Sequence, residues 1–337
     1  MSPADDYRGL GWKFGALVVQ RHAAMLAPVT FVLSDGRQVS PMHIAPWAEE
    51  PEAAAAPGVL RRLRGEWPCV PFGYAVADPT APPDWARHNG PAEPGEEVHG
   101  HGSNHPWTWE EADGTSLRLA LDYPGSSPIR RLVRTVTPDP LAPAIDLTLT
   151  IEVARACRLP IGLHPTFRLP AAPGAAVVEP GPFVAGRTYP GTVEPAAPLF
   201  AIDHGFTSLA AVPGRDGTSI DASRLPLATD TEELLQLNGI GTVALANTAE
   251  GYRVRLSWQR EHFPSLLLWI SNRGRKSAPW NGRHLALGME PVCSPFGLGP
   301  AAARASNPMA TAGTPTARDF AAGEVFTTRY RIAAEAL

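Results

Sequence analysis

Apolar and polar residues alternate strictly from Ile145 to Val153: Ile145, Leu147, Leu149, Ile151 and Val153 are separated by Asp146, Thr148, Thr150 and Glu152. Successive side chains of a strand leave on opposite faces, so this period of two predicts a strand with one face against a core. The same alternation runs through Leu117, Leu119, Leu121 and Tyr123, through Tyr252, Val254, Leu256 and Trp258, and through Phe326, Tyr330 and Ile332. Leu266 to Ile270 is instead a continuous apolar run between Pro264 and Ser271, which predicts a strand covered on both faces. Helical periodicity is scarce, because Pro51, Pro57 and Gly58 interrupt the Ala/Glu-rich stretch from Pro46 to Arg64. Without helices alternating with strands, a Rossmann or TIM-barrel architecture is not expected.

The 37 prolines and 31 glycines fit many short elements joined by turns. Residues 79–97, with Pro79, Pro82, Pro83, Pro91 and Pro94, read as one long loop, a length that in compact domains usually carries function. Residues 300–318 form a second passage rich in Ala, Pro and Thr, with a strand after it. No internal repeat and no domain boundary is visible. The expectation is one all-β domain over residues 1–337, with two antiparallel sheets packed face to face.

Charge narrows the partners. The chain has 33 acidic and 29 basic side chains, a net charge of -4, and its only lysines are Lys13 and Lys276. No basic cluster marks a nucleic-acid or anionic membrane surface, so neither partner is expected. Cys69, Cys157 and Cys293 form no CxxC or other ligand-like spacing, and a reducing cytoplasm is their simplest home. The first residues lack the pattern of a secretory signal, and the longest apolar run is too short to cross a bilayer. The chain is expected to work as a monomer or homodimer.

Three segments carry candidate chemistry. His99, His101 and His105 are three imidazoles within seven residues. On a strand His99 and His101 would share a face and could share a metal ion with His105, as in a cupin-like enzyme; the competing reading is a polar turn with surface histidines. His164 ends an apolar stretch and precedes Pro165, which holds its predecessor extended and fixes where the imidazole projects. Glu290 closes the apolar run Leu285–Met289 and also precedes a proline, Pro291. A carboxylate among apolar neighbours has either a partner or a task. Trp107 and Trp280 could stack on a ligand ring or fill a core.

In their order these segments resemble the aldose 1-epimerase (galactose mutarotase-like) family from about residue 30 onward. The resemblance is carried by Arg64-Gly65 with Pro71-Phe72-Gly73, His99-Gly100 with Pro106-Trp107, His164-Pro165 with Phe167, and Glu290 at the end of a late strand. It implies a β-supersandwich and a cofactor-free reaction, with neither metal nor organic group, that interconverts the α and β anomers of a small reducing sugar. Carried over residue by residue, Glu290 takes the proton of the C1 hydroxyl, His164 protonates the ring oxygen, and Arg64, His99 and Asp203 bind the sugar. In the hexose-6-phosphate branch an arginine that helps bind phosphate stands four residues after the His of His-Gly; here that residue is Ser103, so Arg130, Arg131 or Arg168 would have to supply the charge. The alternatives are a hexose-6-phosphate 1-epimerase, a non-catalytic sugar-binding protein of the same fold, and a metal enzyme using His99, His101 and His105.

Overall fold

In a computed structural model, the described residues are 6–74, 81–86, 96–111, 114–194 and 198–337. They are dominated by two large antiparallel sheets. The 9-stranded sheet runs, in spatial order, Arg224–Leu225, Ala176–Pro180, Thr242–Asn247, Tyr252–Trp258, Val325–Ala336, Ala144–Val153, Ile129–Pro138, Leu117–Asp122 and Thr108–Glu110. All of the alternating segments lie in this sheet. The 8-stranded sheet runs Gly205–Phe206, Ala185–Thr188, Thr231–Asn238, Ser265–Asn272, Leu285–Cys293, Ile161–Leu163 and Pro68–Cys69, and Thr166–Arg168 also pairs with Leu285–Cys293. A separate meander of Tyr7–Trp12, Gly15–Gln20, Leu26–Val32 and Gln38–Val39 adds Leu17, Val19, Val29 and Phe31 to the core.

Period two explains why the 8-stranded sheet is apolar on both faces. Leu266, Leu268 and Ile270 share one core with Ile145, Leu147, Leu149 and Ile151 of the 9-stranded sheet. Leu267 and Trp269, on the opposite face, belong to a second core with Trp67, Phe72, Trp280 and Phe296. The continuous run LLLWI is therefore a strand between two apolar layers, as its pattern predicts.

Three local expectations change. Glu290 does not close its strand: Leu285–Cys293 continues through Pro291, so the carboxylate sits within the sheet. The passage 300–318 contains two short helices, Gly299–Arg304 and Pro308–Thr311. The second is capped by the Asn307 side chain, which accepts from the N–H groups of Met309 and Ala310. The loop reading over 79–97 lies largely outside the described residues; within the part described, Pro83–Ala86 is a single helical turn that buries Trp85. No helix among the described residues is long and apolar enough to cross a membrane.

Candidate active site

Four neighbouring strand positions build the floor of the site. Ile161–Leu163 and Thr166–Arg168 both pair with Leu285–Cys293, and the register is the same on either side of the break at His164-Pro165: Gly162 faces Val292 and Thr166 faces Gly288. His164 therefore falls opposite Glu290. Pro165 has no amide hydrogen to give the ladder, but its carbonyl accepts from Met289 N–H at 2.8 Å. On the other edge Gly162 faces Cys69 and Leu163 faces Pro68, which puts Trp67 beside His164; the His164 N–H donates to the Trp67 carbonyl at 2.9 Å. Glu290 faces Leu267, and Gly288 faces Trp269 in the adjacent row.

The row brings His164 Nε2 to 3.4 Å from Glu290 Oε1, with both side chains buried. The His164 ring stacks on Trp67, with centroids 4.0 Å apart and planes 14° apart. Its Nδ1 lies 3.2 Å from Thr166 Oγ1, which leaves Nε2 as the nitrogen aimed at Glu290. Glu290 Oε1 makes no hydrogen bond among the described residues. Gly288 leaves the space this carboxylate occupies: a Cβ there would lie 2.3 Å from Glu290 Oε1 and 3.0 Å from the Trp269 Cβ.

His99 enters from above on a loop. Its ring lies edge-on to His164 at 5.1 Å, and its Nδ1 accepts from Gly73 N–H at 3.3 Å, so the neutral ring carries its proton on Nε2. The next residue, Gly100, has φ 81°, and a Cβ there would lie 2.1 Å from the Val70 carbonyl oxygen, so this close crossing requires glycine. Above the row is a cavity of about 370 Å³, within the size range of small-molecule pockets, walled by Trp67, Phe72, Tyr74, Tyr189, Trp269 and Trp280. Arg275 is the only Lys or Arg among the described residues lining it. Its guanidinium lies over Trp280 at 4.5 Å, and its Nε is 2.9 Å from Glu194 Oε1.

Burial sets the protonation of the floor. It raises Glu290 well above the ordinary carboxylate range. It lowers His164 well below the ordinary imidazole range, and the neighbouring His99 adds to that shift. It also lowers His99 to about 4, with Arg275 acting in the same direction. All three shifts favour the neutral form over the charged one.

No family model matches the chain, and no curated protein matches it. Solved structures do. A galactose mutarotase-like protein from Lactobacillus casei shares 13% identity at a TM-score of 0.62, covering 98% of this chain and 100% of its own. An aldose epimerase homologue from C. elegans shares 13% identity at 0.63 over 98% and 99% of the two chains. The galactose mutarotase related enzyme of Lactobacillus acidophilus shares 12% at 0.60 over 98% and 97%. The chain has the galactose mutarotase-like fold.

Within this mutarotase-like fold, His164, Glu290 and His99 line one cavity, whereas Arg64 and Asp203 are not among its lining residues. The buried Arg64 guanidinium is taken by Glu49 Oε1 at 2.5 Å and the Arg62 carbonyl at 3.0 Å. Asp203 stands behind the wall: its Oδ1 accepts from Trp85 Nε1 at 2.9 Å and Arg187 Nε at 2.5 Å, and its N–H donates to the carbonyl of the lining residue Tyr189. The arginines considered as replacements for a phosphate-binding residue are paired elsewhere, Arg130 with Glu152, Arg131 with Glu110 and Asp122, and Arg168 with Glu250. Ser103 is buried and donates to the His99 carbonyl at 2.8 Å. Trp280 lines the cavity, while Trp107 is buried with its Nε1 on the Gly102 carbonyl. His101 and His105 do not join His99; both turn to Glu97.

Sequence reasoning passed over Trp67, Tyr189, Gly288 and Arg275. The first three carry no local signal, because only strand register and loop closure bring them to the cavity. Arg275 does stand in a visible polar run, Asn272 to Lys276, directly after the apolar strand.

Proposed function

We propose that this protein is an aldose 1-epimerase acting on an unphosphorylated reducing sugar. The observation that carries the reading is the His164–Glu290 pair, 3.4 Å apart at the bottom of an aromatic-walled cavity, with one carboxylate oxygen lacking a hydrogen-bond partner. The two oxygens to be worked on, the C1 hydroxyl and the ring oxygen, are bonded to the same carbon, so two groups this close can reach both.

The C1 hydroxyl donates to Glu290 Oε1 and supplies the partner this oxygen lacks; an unsatisfied buried group of this kind costs about 1–3 kcal/mol. That bond favours the carboxylate, with the acidic proton on His164 Nε2. Glu290 then removes the hydroxyl proton as His164 protonates the ring oxygen. The C1–ring oxygen bond breaks, leaving an open-chain aldehyde. Rotation about C1–C2 presents the other face, and reversal of both transfers closes the other anomer and restores the pair. His99 Nε2–H is placed to donate to a sugar hydroxyl, and the aromatic walls provide faces for the C–H surface of the ring. Glu194 beside Arg275 offsets the cavity's one lining cation among the described residues, which favours a neutral sugar over a phosphate dianion.

Polarimetry of freshly dissolved α-D-glucose and α-D-galactose, with glucose 6-phosphate followed by an anomer-specific coupled assay, tests the reading. Accelerated equilibration of a free sugar is expected. A protein that binds sugars from a wider panel and accelerates none of them is a binding protein, and the proposal fails.

Gly288 gives a more local test. In Gly288→Ala the added methyl displaces the Glu290 carboxylate, and a misplacement of about 1 Å can lower the rate about 10²-fold. kcat is expected to fall on that scale while KM changes little. A full-rate variant would mean that the observed Glu290 rotamer is not the working one.

A further inference from the structure

We propose that Glu97, His101 and His105, which do not line the cavity, form a binding site for a divalent cation of the zinc class. The set is not the expected one: His99 leaves the histidine group for the cavity, and Glu97 takes its place. His101 Nδ1 lies 3.0 Å from Glu97 Oε2, and His105 Nε2 lies 2.9 Å from Glu97 Oε1. One ligand atom from each residue can be chosen so that all lie within 4.8 Å of one another. Bonds of about 2.1 Å to a tetrahedral zinc ion place ligand atoms roughly 3.4 Å apart, so small side-chain shifts suffice. Two imidazoles and one carboxylate suit zinc and its neighbours, whereas magnesium and calcium prefer oxygen alone.

The loop holds these residues ready. His101–Ser103 is a turn of 3-10 helix. The Asn104 amide donates to the carbonyls of Val98 at 2.7 Å and Gly100 at 2.8 Å, and Tyr123 Oη accepts from Gly102 N–H at 3.1 Å. The rings of His101 and His105 already lie 3.9 Å apart. All three side chains are partly exposed, which gives a cation a way in and leaves a coordination position for water. A cation here ties residue 97 to residue 105 across His99, so it acts as a clamp on the loop that delivers His99 and takes no part in the proton transfers.

Isothermal titration of chelator-treated full-length protein with zinc chloride is the test, alongside His101→Asn, His105→Asn and magnesium controls. One equivalent of zinc, bound more than about tenfold more weakly by each variant, is expected. The melting temperature of wild type alone should rise with zinc. Circular dichroism checks that the variants fold; His105 is 41% exposed, so its replacement leaves the core untouched. Stoichiometric zinc bound equally by wild type and both folded variants, no zinc bound, or magnesium bound as tightly, overturns the proposal. None of these readouts depends on sugar turnover.

Discussion

Glu290→Gln is expected to slow anomer equilibration by about 10²–10⁴-fold, the usual contribution of a positioned acid–base group, while leaving sugar affinity within a few-fold. The amide keeps the shape and can still hydrogen-bond a hydroxyl but cannot take its proton. The same substitution should stabilise the fold above mildly acidic pH. Burial raises the folded-state pKa of Glu290 well above 4.5. As pH rises from 4.5 towards that value the unfolded chain releases a proton that the folded chain keeps, so wild-type stability falls through this window. Glutamine removes that slope, and the variant should gain on wild type in denaturant titrations at rising pH. His164 acts with the opposite sign: its folded pKa lies well below 6.5, so its contribution is full above 6.5 and is lost as pH falls towards the folded value. Activity of wild type should fall on the acid side as the pair takes a second proton and on the alkaline side as it loses its last. These limits belong to the pair and not to either residue. Loss of activity in Glu290→Gln without the predicted change in the pH dependence of stability would separate the catalytic reading from the burial argument.

Arg134→Met is expected to destabilise the protein by about 3–5 kcal/mol, the scale for leaving a buried charge without its partner. Arg134 and Glu66 are both 0% exposed and form an ion pair. Arg134 also donates to the carbonyls of Ala24 and Glu66, and Tyr330 Oη donates to Glu66 Oε1 at 2.6 Å. One guanidinium thus joins the N-terminal meander, through Ala24, to the 9-stranded sheet and to the segment that leads into Trp67. Burial already raises Glu66 from its ordinary value, with Arg134 opposing the shift, so removal of the arginine leaves it protonated or strongly destabilising. Replacing both Glu66 and Arg134 with methionine should recover part of the loss, because no buried charge remains. Equilibrium urea unfolding measures both effects. A single-variant cost below about 1 kcal/mol would show that the site relaxes to admit water.

Much of the fold is legible along the chain because strand period and burial are coupled locally. The alternation at Ile145–Val153 and Tyr252–Trp258 gives strands with one covered face, and LLLWI gives a strand covered on both. Helix content in 300–318 is less legible, since its short turns rest on the Asn307 cap and on packing around Met309 rather than on a periodic face. Among the site residues, His164 and Glu290 stand out as polar groups in apolar strands, each followed by proline.

The sequence by itself determined the five strands whose apolar pattern is regular, the faces they bury, and that a histidine and a glutamate stand among apolar neighbours. Only the tertiary structure decided that the two are register partners, that Trp67 joins their row while Gly288 in the next row leaves space for the carboxylate, and that Arg64 and Asp203 serve other contacts. It also divided the histidines, sending His99 into the cavity and His101 and His105 to Glu97. The reason is that burial pattern is a property of neighbours in sequence. Register and loop closure are set by pairings between segments far apart in the chain, such as residue 67 with 164 and 164 with 290, and no local pattern encodes them.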